Sequence, residues 1–156
     1  PSVCACRDKT KLYCDDRNLT RLPVSFPTKT SVLDLSGNDI DSLEGDQFHS
    51  LGDLELLIIK HSHVKTIATG TFRGCFHLKR VELNSNQFER FSSKIFDSPN
   101  SITELNLMSN KLTELRKGDL DGLGHLRQLY LSNNMIRSLE EGVFQQLHRL
   151  ETLDLR

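Results

Sequence analysis

The sequence predicts an α/β-type repeat solenoid, with short parallel strands on one face and coil or 3₁₀ returns on the other. Three observations carry that expectation. Leucine fills 26 of 156 positions while tryptophan is absent. Apolar residues recur in seven columns spaced 24 residues apart. Within each unit two apolar residues follow one another with period 2, the signature of a half-buried strand. Hydrophobic residues make up 37% and charged residues 26% of the chain, a globular balance rather than a disordered one. The net charge of −1 argues against an electrostatic nucleic-acid binder. No apolar run approaches the roughly 18 residues that would insert this segment into a bilayer.

Each unit can be followed in order. It opens at Thr30, Leu54, Leu78, Ile102, Leu126 and Leu150. The strand pairs follow: Leu33 with Leu35, Leu57 with Ile59, Val81 with Leu83, Leu105 with Leu107, Leu129 with Leu131, and Leu153 with Leu155. Asn38, Ser62, Asn86, Asn110 and Asn134 come next, where the chain must turn. A buried amide there can bond the main-chain groups that a turn leaves unpaired. Ile40, Val64, Phe88, Leu112 and Ile136 begin the return, and Phe48, Phe72, Phe96, Leu120 and Phe144 give it bulk. One unit cannot bury its apolar side alone, so the units must stack. Six strands at about 4.8 Å would span roughly 24 Å. A wide back against tightly spaced strands makes the sheet the concave face.

This L-x-x-L-x-L-x-x-N-x-L pattern resembles the leucine-rich repeat family over residues 30–156. The resemblance implies a right-handed horseshoe. Residues 30–156 then hold about five 24-residue repeats and the start of a sixth, and residues 1–29 form a separate N-terminal cap. The chain stops just after an L-x-L step with no capping cysteines, so further sequence beyond Arg156 is expected.

The cap holds Cys4, Cys6 and Cys14, followed by Leu19-Thr20-Arg21-Leu22-Pro23. A solenoid end needs a cover, and a short cover with little core is commonly stapled by disulfides. Three cysteines without a nearby fourth ligand do not fit the usual zinc spacings, and no metal is expected. The C-x-C-x₇-C layout resembles the cysteine-rich N-terminal cap of extracellular leucine-rich repeat proteins. In that family the cap reads C-P-x-x-C-x-C. Pro1 through Cys6 match from the second residue on, which puts the first cysteine just before Pro1. The resemblance implies that Cys4 pairs with Cys14 and Cys6 with that preceding cysteine. Disulfides require an oxidising compartment, so the protein is expected to be secreted or to face the cell exterior. Asn18-Leu19-Thr20 is a glycosylation sequon, with Asn18 as acceptor. Cys75 occupies a leucine column and is expected to be a buried, inert thiol.

Catalysis finds no support. His61 and His63 flank Ser62, the one place where the asparagine column is broken, but no carboxylate or thiol cluster accompanies them. No phosphate loop, dinucleotide fingerprint, nucleophile elbow or metalloprotease helix occurs, so neither catalytic residues nor a cofactor are expected.

Function is therefore expected in the positions that the repeat leaves free. Side chains flanking the strand leucines point out of the concave face. Leu56, Ile58, Lys60 and His61 make an apolar and basic patch near the N-terminal end, with Val32 beside it. Arg80, Glu82, Glu104, Met108, Gln128 and Tyr130 form a mixed polar surface further along. Solvent-facing Leu and Ile, with Tyr and Arg near them, often mark protein interfaces. The expected role is an extracellular recognition module for a protein, or a glycoconjugate, of the kind seen in Slit-like, Toll-like, variable lymphocyte and neuronal leucine-rich repeat ectodomains. Two other classes stay open. One is a matrix scaffold of the small proteoglycan type, against which the uniform 24-residue period counts. The other is an intracellular adaptor, whose cap cysteines would be free thiols.

Overall fold

The computed structural model describes residues 4–97 and 99–156; Pro1, Ser2 and Val3 of the cap motif lie outside them. The 24-residue period becomes a staircase of short strands. On one face run β1 (Ala5–Arg7), β2 (Lys11–Tyr13), β3 (Val32–Asp34), β5 (Leu56–Ile58), β7 (Arg80–Glu82), β8 (Glu104–Asn106), β10 (Gln128–Tyr130) and β12 (Thr152–Asp154). They form one sheet in that order. Two shorter pairs lie on the return path: β4 (Ser42–Leu43) with β6 (Thr66–Ile67), and β9 (Glu114–Leu115) with β11 (Ser138–Leu139). No α-helix occurs among the described residues, and the one helical turn is a 3₁₀ turn at Ser93–Ile95. The architecture is the leucine-rich repeat horseshoe.

The register keeps every column in phase. Leu33 pairs with Leu57, Leu57 with Val81, Val81 with Leu105, Leu105 with Leu129 and Leu129 with Leu153. Every pair from β2 to β12 is parallel; only the β1–β2 hairpin is antiparallel. Strand alternation then buries the middle residue and turns its two neighbours to the concave side. Leu33, Leu57, Val81, Leu105 and Leu129 are all fully buried.

The asparagine column acts as the seam between units. Asn86 Nδ2 donates to the carbonyls of Ile59 in the preceding unit and Leu83 in its own, at 2.6 and 3.1 Å. Its Oδ1 accepts from the Ser62 and Val64 amides. Asn110 and Asn134 repeat the pattern one and two units on. Ser62 keeps only part of it, its hydroxyl donating to Leu35 O at 3.0 Å. Each side chain thus satisfies main-chain groups that the turn would otherwise strand in the core. The residue before each asparagine takes the left-handed conformation. His61, Ser85, Ser109 and Asn133 have φ between 50° and 58°, and Gly37 has φ of 68°. At Gly37 an added Cβ would lie 1.9 Å from Asp16 Oδ1, so a larger residue there would have to displace that side chain.

The back is filled by aromatic rings. Phe26, Phe48, Phe72 and Phe96 form a continuous stack with centroids 5.5, 4.9 and 5.9 Å apart. Cys75 sits beside it, 6% exposed, and its thiol donates to Phe48 O at 3.4 Å. Burial, with Asp97 adding to it, pushes that thiol up to about 12.

The cap holds a surprise. It is itself a shortened unit, in register with the repeats at an offset of 21 residues. Leu12 pairs with Leu33 and Tyr13 with Asp34. Cys14 fills the column of Leu35, fully buried, and is joined to Cys4 by a disulfide. Phe26 heads the aromatic stack. The sheet therefore has eight strands where the 24-residue columns alone predict six.

Candidate recognition surface

The concave sheet carries three outward rows. The first runs Arg7, Lys11, Val32, Leu56, Arg80, Glu104, Gln128, Thr152, and the second Ala5, Tyr13, Asp34, Ile58, Glu82, Asn106, Tyr130, Asp154. The third holds Ser36, Lys60, Asn84, Met108, Ser132 and Arg156, two residues after the second.

The ten residues expected to bind a ligand all fall on this face or its exit edge, and they separate by environment. Leu56 and Ile58 share β5, both half-buried and turned away from the core. Gln128 and Tyr130 share β10, the Tyr130 hydroxyl donating to Gln128 Oε1 at 3.2 Å. Met108 is half-buried two residues beyond β8, and His61 is exposed at the sheet's exit edge. The other four form one ionic chain. Glu82 is 6% exposed and lies between the Lys60 ammonium and the Arg80 guanidinium, the latter at 2.7 Å. Arg80 reaches on to Glu104 at 3.3 Å. A buried carboxylate needs such partners. Glu82 thus holds Lys60 and Arg80 in place rather than offering itself to solvent. At the far end Asp154 is pulled down to about 2, chiefly by the Arg156 hydrogen bond, with Nε to Oδ1 at 3.0 Å.

Two further residues belong to the surface. Tyr13 stands in the same row as Tyr130, and the Arg7 guanidinium lies 5.4 Å above its ring centroid. The 24-residue search passes over Tyr13 because the cap offset is 21. The Leu12-x-Cys14 step, with Leu19 and Leu22 behind it, was the signal that could have found it.

The remaining candidates lie elsewhere. His63 pairs with Asp39 at 3.0 Å on the flank. Asn18 is exposed. Cys6 is an exposed free thiol whose strand partner is Leu12. A cavity of about 650 Å³ opens on the flank between Ile67 and Phe91, where the third unit's return pairs with neither short sheet.

The leucine rich repeat family model matches residues 28–88, 53–112 and 100–156. The chain belongs to the leucine-rich repeat family. Among relatives of this leucine-rich repeat chain, lumican of Coturnix japonica is 31% identical over 108 residues, covering 68% of this chain and 30% of lumican. Osteomodulin of Rattus norvegicus is 30% identical, covering 72% of this chain and 26% of osteomodulin. A leucine-rich repeat-containing G-protein coupled receptor 5 of Xenopus tropicalis is 37% identical over 89 residues, covering 55% of this chain and 10% of the receptor. The crystal structure of the TLR13–ssRNA13 complex superposes with a TM-score of 0.77 at 30% identity, over 82% of this chain and 18% of that one. The chain spans less than a third of the length of these relatives. They are structural or receptor proteins of the cell exterior, and this repeat chain, with its disulfide-bonded cap, is extracellular as well.

Proposed function

We propose that the chain is a recognition module that binds a protein partner on its concave face, as part of a receptor, guidance or immune-recognition protein. The observation that carries this reading is the placement of Leu56 and Ile58. Both turn outward from a strand whose core side is already sealed by the fully buried Leu57. Packing gives no reason for apolar side chains there, and contact with a partner does. A rigid preformed surface also loses little conformational entropy on binding. Asn18 is proposed to carry a glycan, and Cys6 to pair with a cysteine preceding Pro1.

The test is a pull-down from secreted and cell-surface proteins, with wild type, Ile58→Asp and Tyr130→Asp as parallel baits. A partner held by wild type and lost by both variants supports the reading. A partner retained by both moves the site to a flank or the convex side.

A second reading is a matrix scaffold, and the similarity to lumican and osteomodulin favours it despite the even period. Capture of an insoluble matrix polymer in place of a soluble ectodomain would select it. Nucleic acid is the least favoured partner on charge, although the TLR13 structure is a complex with single-stranded RNA.

A further inference from the structure

The chain contains two tyrosines, and both stand in the same outward row of the concave sheet. Tyr13 is on β2 and Tyr130 on β10, five strand steps apart, so about 24 Å separates them. Each is half-buried and steadied from one side, Tyr13 by the Arg7 guanidinium and Tyr130 by Gln128. Tyrosine supplies large contact area at low entropic cost, which is why it anchors interfaces.

The charges between them are spent on one another. Lys60, Glu82, Arg80 and Glu104 form one chain, and beyond Tyr130 Asp154 is tied to Arg156. At the cap end, Arg7 and Lys11 are exposed and have no carboxylate within ion-pair distance among the described residues. They occupy the strand-entry row, while Asp34 and Asp15 lie toward the exit side.

We propose that the recognition surface begins on the cap. Tyr13 is a second anchor in register with Tyr130, and the partner is a folded protein that spans both rings and sets a carboxylate against Arg7 and Lys11. A single sugar cannot cover that distance, and a linear peptide covers it only with about eight residues held extended, an ordering cost that a folded partner has already met. The inference rests on the concave-face reading above and adds the cap strand and the partner's length and charge to it.

The test uses an array of purified recombinant ectodomains probed with the whole chain. Every bound ectodomain is titrated against wild type, Tyr13→Ala, Lys11→Glu, Tyr130→Ala and, as a control away from this face, Val24→Ser; thermal melting checks that each variant folds. The expected result is a loss of about tenfold or more for either tyrosine. Lys11→Glu should slow association and flatten its salt dependence, and Val24→Ser should change nothing. Loss with Tyr130→Ala but not with Tyr13→Ala or Lys11→Glu overturns the inference and leaves the concave reading standing. Indifference to both tyrosines, or an array on which nothing binds, overturns both. Equal affinity for a short linear peptide cut from the bound ectodomain overturns the folded partner.

Discussion

The Ser62 amide donates to Asn86 Oδ1 at 3.1 Å across the seam between two units. The same side chain also serves Ile59 O and Val64 N–H in the preceding unit and Leu83 O in its own, so one residue settles four main-chain groups over two repeats. Replacing Asn86 with Ala leaves Ile59 O and the Ser62 and Val64 amides unpaired, while Leu83 O keeps the Asn110 amide at 3.0 Å. A loss of about 1–3 kcal/mol is expected for each group that finds no water. Urea unfolding of Asn86→Ala beside Asn134→Ala, which is nearer the open end, checks it; the inner variant should lose more.

The strand leucines make a harsher demand. Leu107 is 0% exposed, and truncation to Ala opens a cavity that stacked neighbours cannot close. About 2–5 kcal/mol should be lost, with adjoining units loosened as well. Hydrogen exchange resolves both, because protection should fall in β8 and also in β7 and β10.

Arg80 links strand chemistry to the recognition face. Removing it leaves Glu82 buried with Lys60 alone. Arg80→Ala should cost about 1–3 kcal/mol, and much of that cost should vanish in a Glu82→Gln background. A double-mutant cycle by chemical unfolding measures the coupling, and additivity would show that the pair is not a working contact.

Cys75 predicts an alkaline signature. Its thiol titrates at about 12 in the fold against 9.0 when unperturbed. Between those values the unfolded chain has released the proton and the folded chain still holds it. Stability therefore falls as pH rises through that window, by up to about 1.4 kcal/mol per pH unit. Cys75→Ala should lose less stability than wild type from pH 8 to pH 10.5, whatever other groups contribute in common. A thiol reagent at pH 8 should leave the buried Cys75 untouched until the chain unfolds.

Much of this molecule was legible because a repeat multiplies its own signal. One apolar-x-apolar step is weak, but six in phase determine strands, register and core, and the columns from Leu33 to Leu153 pair as read. The asparagine column foretold the seam for the same reason. The cap was harder to read, because its offset of 21 breaks the period and Cys14 disguises a leucine position. Tyr13, Lys11 and Arg7 were missed with it. Glu82 was read correctly as an outward row position, yet its burial depends on two long side chains folding over it, which no strand pattern encodes. The break in the return path at Phe91 was equally silent, since Phe91 is as apolar as the residues it replaces.

Hydroxyl-radical footprinting distinguishes a partner seated on the concave face from one seated elsewhere. The chain carries oxidisable reporters on both sides. Tyr13, Met108 and Tyr130 lie on the concave face, while Phe76 and Met135 are 69% and 49% exposed away from it. With a captured partner added, labelling should drop at Tyr13, Met108 and Tyr130 and hold steady at Phe76 and Met135. Protection of Phe76 or Met135 with the two tyrosines still labelled would put the contact surface away from the concave face.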